Sequence, residues 1–261
     1  MIMTQESTSQ YSAAVEIKNL FFAYNDGPLV LKDISLMVQP GEKLGIIGPS
    51  GAGKSTLLLH LNGILQGRGN VRIGGVRIEK DNLKAVRRLV GLVFQNPDDQ
   101  LFNPTVEEDV AFGPLNAGLE PEEVSRRVSE VLTRLRLAGF EKKVSHHLSY
   151  GERKRVALAT VLAMDPKVVA FDEPFANLDP AMVGQLIDTI IELKSTVVVV
   201  SQSILPVCAC CDRLAVLNEG EIIAVGDARK IAADRDLLKS CGLDYSFLCR
   251  LCRELSLSEN G

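Results

Sequence analysis

Gly48-Pro49-Ser50-Gly51-Ala52-Gly53-Lys54-Ser55-Thr56 has the spacing G-x-x-x-x-G-K-[ST] of a phosphate-binding loop. Residues 43–47 before it form an apolar, partly β-branched run, which reads as a strand. The Leu-rich stretch 55–62 after it reads as a helix. Strand, loop and helix together are the context in which this spacing has a physical meaning. Glycines let the backbone curl so that successive N–H groups point at phosphate oxygens, and the helix N-terminus adds partial positive charge. Lys54 is then expected at the β- and γ-phosphates, with the Ser55 hydroxyl completing a magnesium shell.

Outward from this loop, the chain alternates strand-like and helix-like texture. Residues 15–20 and 31–38 read as strands, and 67–78, with Gly69, Gly74 and Gly75 among Val and Ile, as a hairpin. The run 89–94 is a buried strand that ends at Gln95. From 106 to 164 the pattern turns helical; Val124, Val128, Val131, Leu132 and Leu135 share one face. The α/β texture then returns. Residues 168–171 form a short apolar strand running into Asp172-Glu173. Residues 181–193 form an amphipathic helix, 196–201 another all-apolar strand, and 213–217 with 221–225 a hairpin.

Asp172 sits at the end of a buried strand, where a carboxylate can hold magnesium through a water. Glu173 beside it can orient or deprotonate an attacking water. Leu148-Ser149-Tyr150-Gly151-Glu152 precedes another helix. Ser149 and Glu152 fit a capping box, and the same helix start suits an anion. Tyr24 is either a stacking platform for a nucleotide base or a core aromatic beside Phe21 and Phe22. Lys154-Arg155 reads as a solvated helix face.

The bulk numbers narrow the function classes. The chain has 261 residues and a net charge of −4, with a pI near 5.5, which argues against a nucleic-acid binder. No apolar run approaches the roughly 20 residues that span a bilayer. Residues 1–12 lack the apolar core of a signal peptide, which places the chain in the cytosol unless it docks on a membrane partner. Six cysteines cluster late and are expected as reduced thiols. Cys249-x-x-Cys252 reads as two small apolar positions of a helical tail, without a second ligand pair for zinc.

Taken in order, Tyr24, the loop 48–56, Gln95, Leu148-Ser149-Tyr150-Gly151-Glu152, the strand ending at Asp172-Glu173, and Asn177-Leu178-Asp179 resemble the ATPase subunit of ATP-binding-cassette (ABC) transporters, over about residues 15–226. The stretches from Phe94 to Phe102 and from Thr105 to Pro114 are similar to the energy-coupling-factor group, which includes cobalt, nickel and vitamin uptake systems. The resemblance implies an α/β P-loop NTPase cassette with a mainly parallel core sheet, an antiparallel β subdomain and an inserted α-helical subdomain. It divides the chain into a disordered leader (1–13), an ATPase domain (14–226, helical subdomain about 97–165) and a helical C-terminal extension (227–261).

The resemblance also implies roles. Tyr24 would stack on adenine. Gly48, Pro49, Ser50, Gly51, Ala52, Gly53, Lys54, Ser55 and Thr56 would hold the phosphates of ATP, with Ser55, Gln95 and Asp172 near Mg2+. Glu173 would be the catalytic base. Leu148, Ser149, Tyr150, Gly151 and Glu152 would face the ATP of an opposite subunit, and Asp179 would lie in a loop crossing the dimer interface. Partners would be a second cassette ATPase, identical or paralogous, an integral membrane coupling subunit, and a substrate-binding membrane subunit, at the cytoplasmic face of the membrane. The stretch from Asp98 to Phe102 would lie near the groove for membrane-partner helices.

Two residues depart from the pattern. Where the family has His after the strand 196–201, this chain has Gln202, and its histidines are His60, His146 and His147, all upstream of the signature. Gln donates a hydrogen bond but never becomes cationic, so slow hydrolysis is expected at this site. Tyr150 stands where most of the wider family has Gly. A hydrolysis-impaired regulatory subunit and a soluble cassette not linked to transport are the alternatives.

Overall fold

The computed structural model describes residues 13–25 and 27–243. The expected leader, the Cys249/Cys252 pair and the far end of the expected C-terminal extension lie outside the described residues. The chain enters through β1 (Val15–Ala23) and β2 (Leu29–Val38), then β3 (Lys43–Ile47), α1 (Lys54–Leu61), and the hairpin β4 (Arg68–Ile73) and β5 (Val76–Arg77). It continues through α2 (Leu83–Leu89) and β6 (Val90–Val93) into three helices, α3 (Val106–Asn116), α4 (Pro121–Arg134) and α5 (Tyr150–Leu162). It returns through β7 (Val168–Asp172), α6 (Pro180–Glu192), β8 (Thr196–Ser201), α7 (Ile204–Cys210), β9 (Arg213–Asn218) and β10 (Glu221–Asp227). The described part closes with α8 (Ala228–Ala233) and α9 (Arg235–Ser240).

Two sheets form. One is four-stranded, in the order β2-β1-β4-β5, and its pairs are antiparallel. The other is six-stranded, in the order β10-β9-β3-β8-β7-β6, parallel except for the β9–β10 hairpin. β8 is buried at every position and β7 at all but Asp172, because both faces of the sheet are covered. Val197 and Val199 join the core shared with α3–α6, whereas Val198 and Val200 join the core under α1 and the antiparallel sheet. One strand thus serves two cores through its period of two.

β1 runs to Ala23, past the expected end at Leu20. Its alternation breaks because Asn19 takes a left-handed backbone (φ 47°) and the pairing with β2 shifts register there. Asn19 is fixed by its N–H to Ser35 Oγ (3.0 Å) and by its side-chain amide to Asp33 Oδ1 (2.8 Å). Such a bulge bends the strand without ending it.

Because β3, β8, β7 and β6 are neighbours and parallel, their C-terminal ends lie along one edge. Those ends carry the 48–56 loop, Ser201-Gln202, Asp172-Glu173 and Gln95 respectively. Ligands of open α/β sheets bind in the crevice at this edge.

Candidate active site

The phosphate loop leaves β3 and delivers α1. Gly51 and Gly53 take left-handed backbones (φ 79° and 102°), which side-chain-bearing residues rarely adopt. The β9–β10 turn braces the loop from below: Gly220 N–H donates to Ala52 O (3.2 Å), and Lys32 N–H donates to Gly220 O (2.8 Å). Lys54 is buried. Its ammonium donates to Gly48 O (2.9 Å) and Pro49 O (3.0 Å), so the loop curls around its own cation. Burial holds this lysine below its ordinary range, partly offset by Glu173 and Asp172.

Asp172 and Glu173 face this loop. Ser55 Oγ donates to Asp172 Oδ1 (2.9 Å). Burial raises the Asp172 carboxyl, and the bond from Ser55 opposes that rise. Glu173 is buried and has a left-handed backbone (φ 42°) fixed by its N–H to Val200 O (2.9 Å). Its Oε2 accepts from Ser201 Oγ (2.9 Å) and from the backbone N–H of Gln202 (3.1 Å). Its Oε1 is buried without a hydrogen bond, 3.7 Å from Lys54 Nζ, an ion-pair separation beyond hydrogen-bonding reach. A carboxylate with one oxygen clamped and the other turned into the cleft suits a group that orients or deprotonates water.

Tyr24 stands over the first turn of α1. Its hydroxyl lies 3.1 Å from Thr56 Oγ1 and its ring meets Phe22 edge-on at 4.9 Å, yet Tyr24 is 47% exposed. It is therefore not a core aromatic, and part of its ring is open to a ligand. Gln95 is exposed at the end of β6.

Leu148 is buried, and Ser149 caps α5. The Ser149 hydroxyl accepts from Glu152 N–H (3.3 Å) and the Ser149 N–H donates to Glu152 Oε2 (2.7 Å), the expected capping box. These bonds hold Glu152 below its ordinary range. Gly151 lies against α6, and a Cβ there would sit 2.0 Å from Met182 Sδ. Tyr150 swings sideways, its hydroxyl donating to Gln95 O (3.2 Å). Asp179 caps α6 by accepting from Met182 N–H (2.9 Å).

Lys54, Ser55, Asp172, Glu173 and Gln202 thus converge in one cleft. The polar bonds of Ser149 and Asp179 stay at their own helix starts.

Residues 31–176 match the ABC transporter family. The chain belongs to that family. It accordingly binds ATP and hydrolyses it in a reaction coupled to transport. Within the family, the chain is 46% identical over 235 residues to the "Energy-coupling factor transporter ATP-binding protein EcfA" of Methanothermobacter thermautotrophicus, covering 88% of this chain and 76% of that one. Its fold is similar to that of CbiO1 from Clostridium perfringens, described as part of the ABC transporter complex CbiONQ. The TM-score is 0.81 at 34% identity, over 93% of this chain and 99% of that one. It is also similar to the ATP-binding cassette MJ0796 in a dimeric post-hydrolysis state with ADP and Pi (TM-score 0.75, 30% identity, 82% of this chain and 99% of that one). The expected fold class, an α/β ABC cassette, is the one observed.

Two expectations need correction or completion. Lys154 is not on a solvated face: it is buried, and its ammonium donates to Glu173 O (3.3 Å), Pro174 O (2.8 Å) and Ala176 O (2.8 Å). Arg155 is also half-buried, with Nη1 3.5 Å from Leu135 O. The charged side chains turn inward because α5 is packed between α3, α4 and β6. Ser201 was not singled out by sequence, although its position at the end of an all-apolar strand beside Asp172-Glu173 is the signal that finds it. Among the described residues Cys208, Cys210, Cys211 and Cys241 are free thiols, and burial lifts the Cys208 thiol to about 11.

Proposed function

We propose that this chain is the ATP-hydrolysing subunit of an energy-coupling-factor importer, and that two cassettes close around two ATP molecules to drive uptake of a metal ion (cobalt or nickel) or a vitamin. One observation carries this reading: Lys54, Ser55, Asp172 and Glu173 meet at the ends of adjacent parallel strands, with one Glu173 oxygen clamped and the other turned toward Lys54. The named relatives support the transport assignment over a cassette not linked to transport.

In this reading the amides of 48–56 and Lys54 bind the β- and γ-phosphates, and Tyr24 stacks on adenine. Glu173 Oε1 takes the proton of the attacking water while Ser201 and the Gln202 N–H hold Oε2. Ser149 and Gly151 meet the γ-phosphate bound to the opposite subunit, and Asp179 lies between subunits. The hydroxyl of Ser55 and the carboxylate of Asp172, 2.9 Å apart and with the carboxyl raised by burial, are a hard-oxygen pair that fits Mg2+, with Gln95 as a further oxygen donor. When bound, Mg2+ would supply charge stabilisation at the phosphate oxygens.

Among the described residues no helix is long and apolar enough to cross a membrane. The transport role therefore calls for an integral coupling subunit and a substrate-binding membrane subunit, with this chain at the cytoplasmic face of the membrane. The loop at 98–103, where Phe102 is 63% exposed and stacks edge-on with Phe112 at 4.8 Å, suits the coupling subunit.

Phosphate release by the purified chain tests the catalytic part. Glu173→Gln is expected to lower turnover by at least about 100-fold while ATP binding persists and a closed pair accumulates in ATP. Near-normal turnover in that variant would remove Glu173 from its role. Co-purification of the chain with an integral membrane protein tests the transport part.

A further inference from the structure

Among the described residues two lysines are buried, Lys54 and Lys154. The first belongs to the phosphate loop. The second lies on the second turn of α5, outside the cleft, and no nucleotide-binding role reaches it. Its surroundings are nonetheless specific. The carbonyls of Glu173, Pro174 and Ala176 converge on its ammonium at 3.3, 2.8 and 2.8 Å. An ammonium has three donors and no acceptor, so three carbonyls saturate it. Carbonyl oxygens turned toward one point repel each other unless a cation sits among them.

The turn so held is the one that aims Glu173. The Glu173 backbone is left-handed (φ 42°), as is that of Asn177 (φ 59°), so the turn spans two conformations that its residues do not favour. Val200 O fixes the N–H side of Glu173, and its carbonyl accepts from Ala176 N–H (3.2 Å) within the turn and from Lys154 (3.3 Å) across it. The carboxylate between them has two donors on Oε2 and none on Oε1. Its direction is set jointly by those two donors and by the backbone that carries it.

We propose that Lys154 is a positioning residue for ATP hydrolysis, holding the Glu173–Ala176 turn in the shape that points the Glu173 carboxylate at the phosphate loop. One turn earlier on the same helix, Tyr150 donates to Gln95 O. α5 therefore grips the loops leaving both β7 and β6. Its N-terminal residues are the signature, so the seating of the signature helix and the aim of the neighbouring carboxylate are mechanically one variable. This inference rests on Glu173 acting as the base.

The test uses the full chain and compares Lys154→Met, Lys154→Gln and Lys154→Arg by phosphate release and by titration with a fluorescent ATP analogue. Lys154→Met and Lys154→Gln are expected to lose at least about tenfold in kcat with nucleotide affinity within about twofold of wild type, and Lys154→Arg to recover part of the rate. In a Glu173→Gln background, Lys154→Met is expected to add little further loss, because both changes act on one group. Equal losses in both backgrounds, an unchanged kcat in Lys154→Gln, or nucleotide affinity lost together with the rate would overturn the proposal. A normal rate in Glu173→Gln alone would instead bring down the assignment of the base.

Discussion

Lys54 Nζ and Glu173 Oε1 face each other across 3.7 Å, both turned away from solvent and not hydrogen-bonded to one another. The ammonium is instead spent on two carbonyls of its own loop. A γ-phosphate is a stronger acceptor than a neutral carbonyl, so nucleotide binding should draw the ammonium off those carbonyls. Lys54→Ala is expected to lower turnover by about 100-fold or more and to weaken ATP binding, since it removes a charge aimed at the transferred group. Phosphate release and nucleotide titration measure the two effects separately.

Asp109 is buried, and four donors reach it. Phe102 N–H (3.0 Å), Asn103 N–H (2.8 Å) and Asn103 Nδ2 (3.2 Å) bond Oδ1, and Ser145 Oγ (2.7 Å) bonds Oδ2. Asp109→Ala leaves these donors without their acceptor, and a loss of about 3 kcal/mol is expected from breaking charged, buried hydrogen bonds. The urea midpoint should fall with little change in slope; an unchanged midpoint would contradict this account of the loop.

Gly151→Ala puts a methyl group 2.0 Å from Met182 Sδ and 2.3 Å from its Cε. The clash falls on the far end of a flexible side chain, so overpacking of about 1 kcal/mol is expected. Adding Met182→Ala should relieve part of it. Thermal unfolding of the single and double variants reads the non-additivity, and simple additivity would count against the contact.

Burial lowers the Lys154 ammonium from 10.5 to about 8. Glu173 and the Tyr150 ring, 5.4 Å away, face it; Arg134, Arg136, Arg155, Asp188 and Glu192 line the same cavity. As pH rises through about 8 the group loses a donor and its charge, and turnover should fall with a midpoint near there. The stability contribution runs the other way. The folded chain binds fewer protons than the unfolded one between about 8 and 10.5, so this group's burial cost fades as pH rises through that window. Lys154→Arg, whose guanidinium stays charged, should lack the alkaline loss of rate. Rate profiles that coincide for the two proteins would assign that limb elsewhere.

Gln202 presents its backbone N–H to Glu173 Oε2 at 3.1 Å, an interaction open to any non-proline residue. What the side chain lacks is a protonatable ring. Gln202→His is expected to raise turnover in the purified assembly by about tenfold, the lower range of acid–base contributions. No gain in rate would show that Gln202 already serves.

The strands and the residues that line the candidate cleft were legible because each has a local signature. The apolar runs 43–47 and 196–201 are strands over those same residues, and loop spacing and the Asp172-Glu173 pair fall where a strand ends. Lys154 was not legible, because its burial follows from how α5 sits against a turn 20 residues away. Gly151 reads as a phosphate contact by motif, whereas its packing against Met182 depends on the angle between two helices. α2 was missed because it is seven residues long, and its apolar positions Leu83, Val86 and Leu89 run straight into the apolar strand β6. Asp109 carries no motif; its partners come from two separate loops.

The register of the central strands has a further consequence. Asp172 lies opposite Val200, and Ser201 opposite Ile47. A slip of one residue would carry a cleft residue about 3.3 Å along its strand and turn it to the other face. The valines therefore act as a ruler for the cleft. A slipped register would displace Asp172 and Ser201 from the cleft even where the valines beside them stay buried.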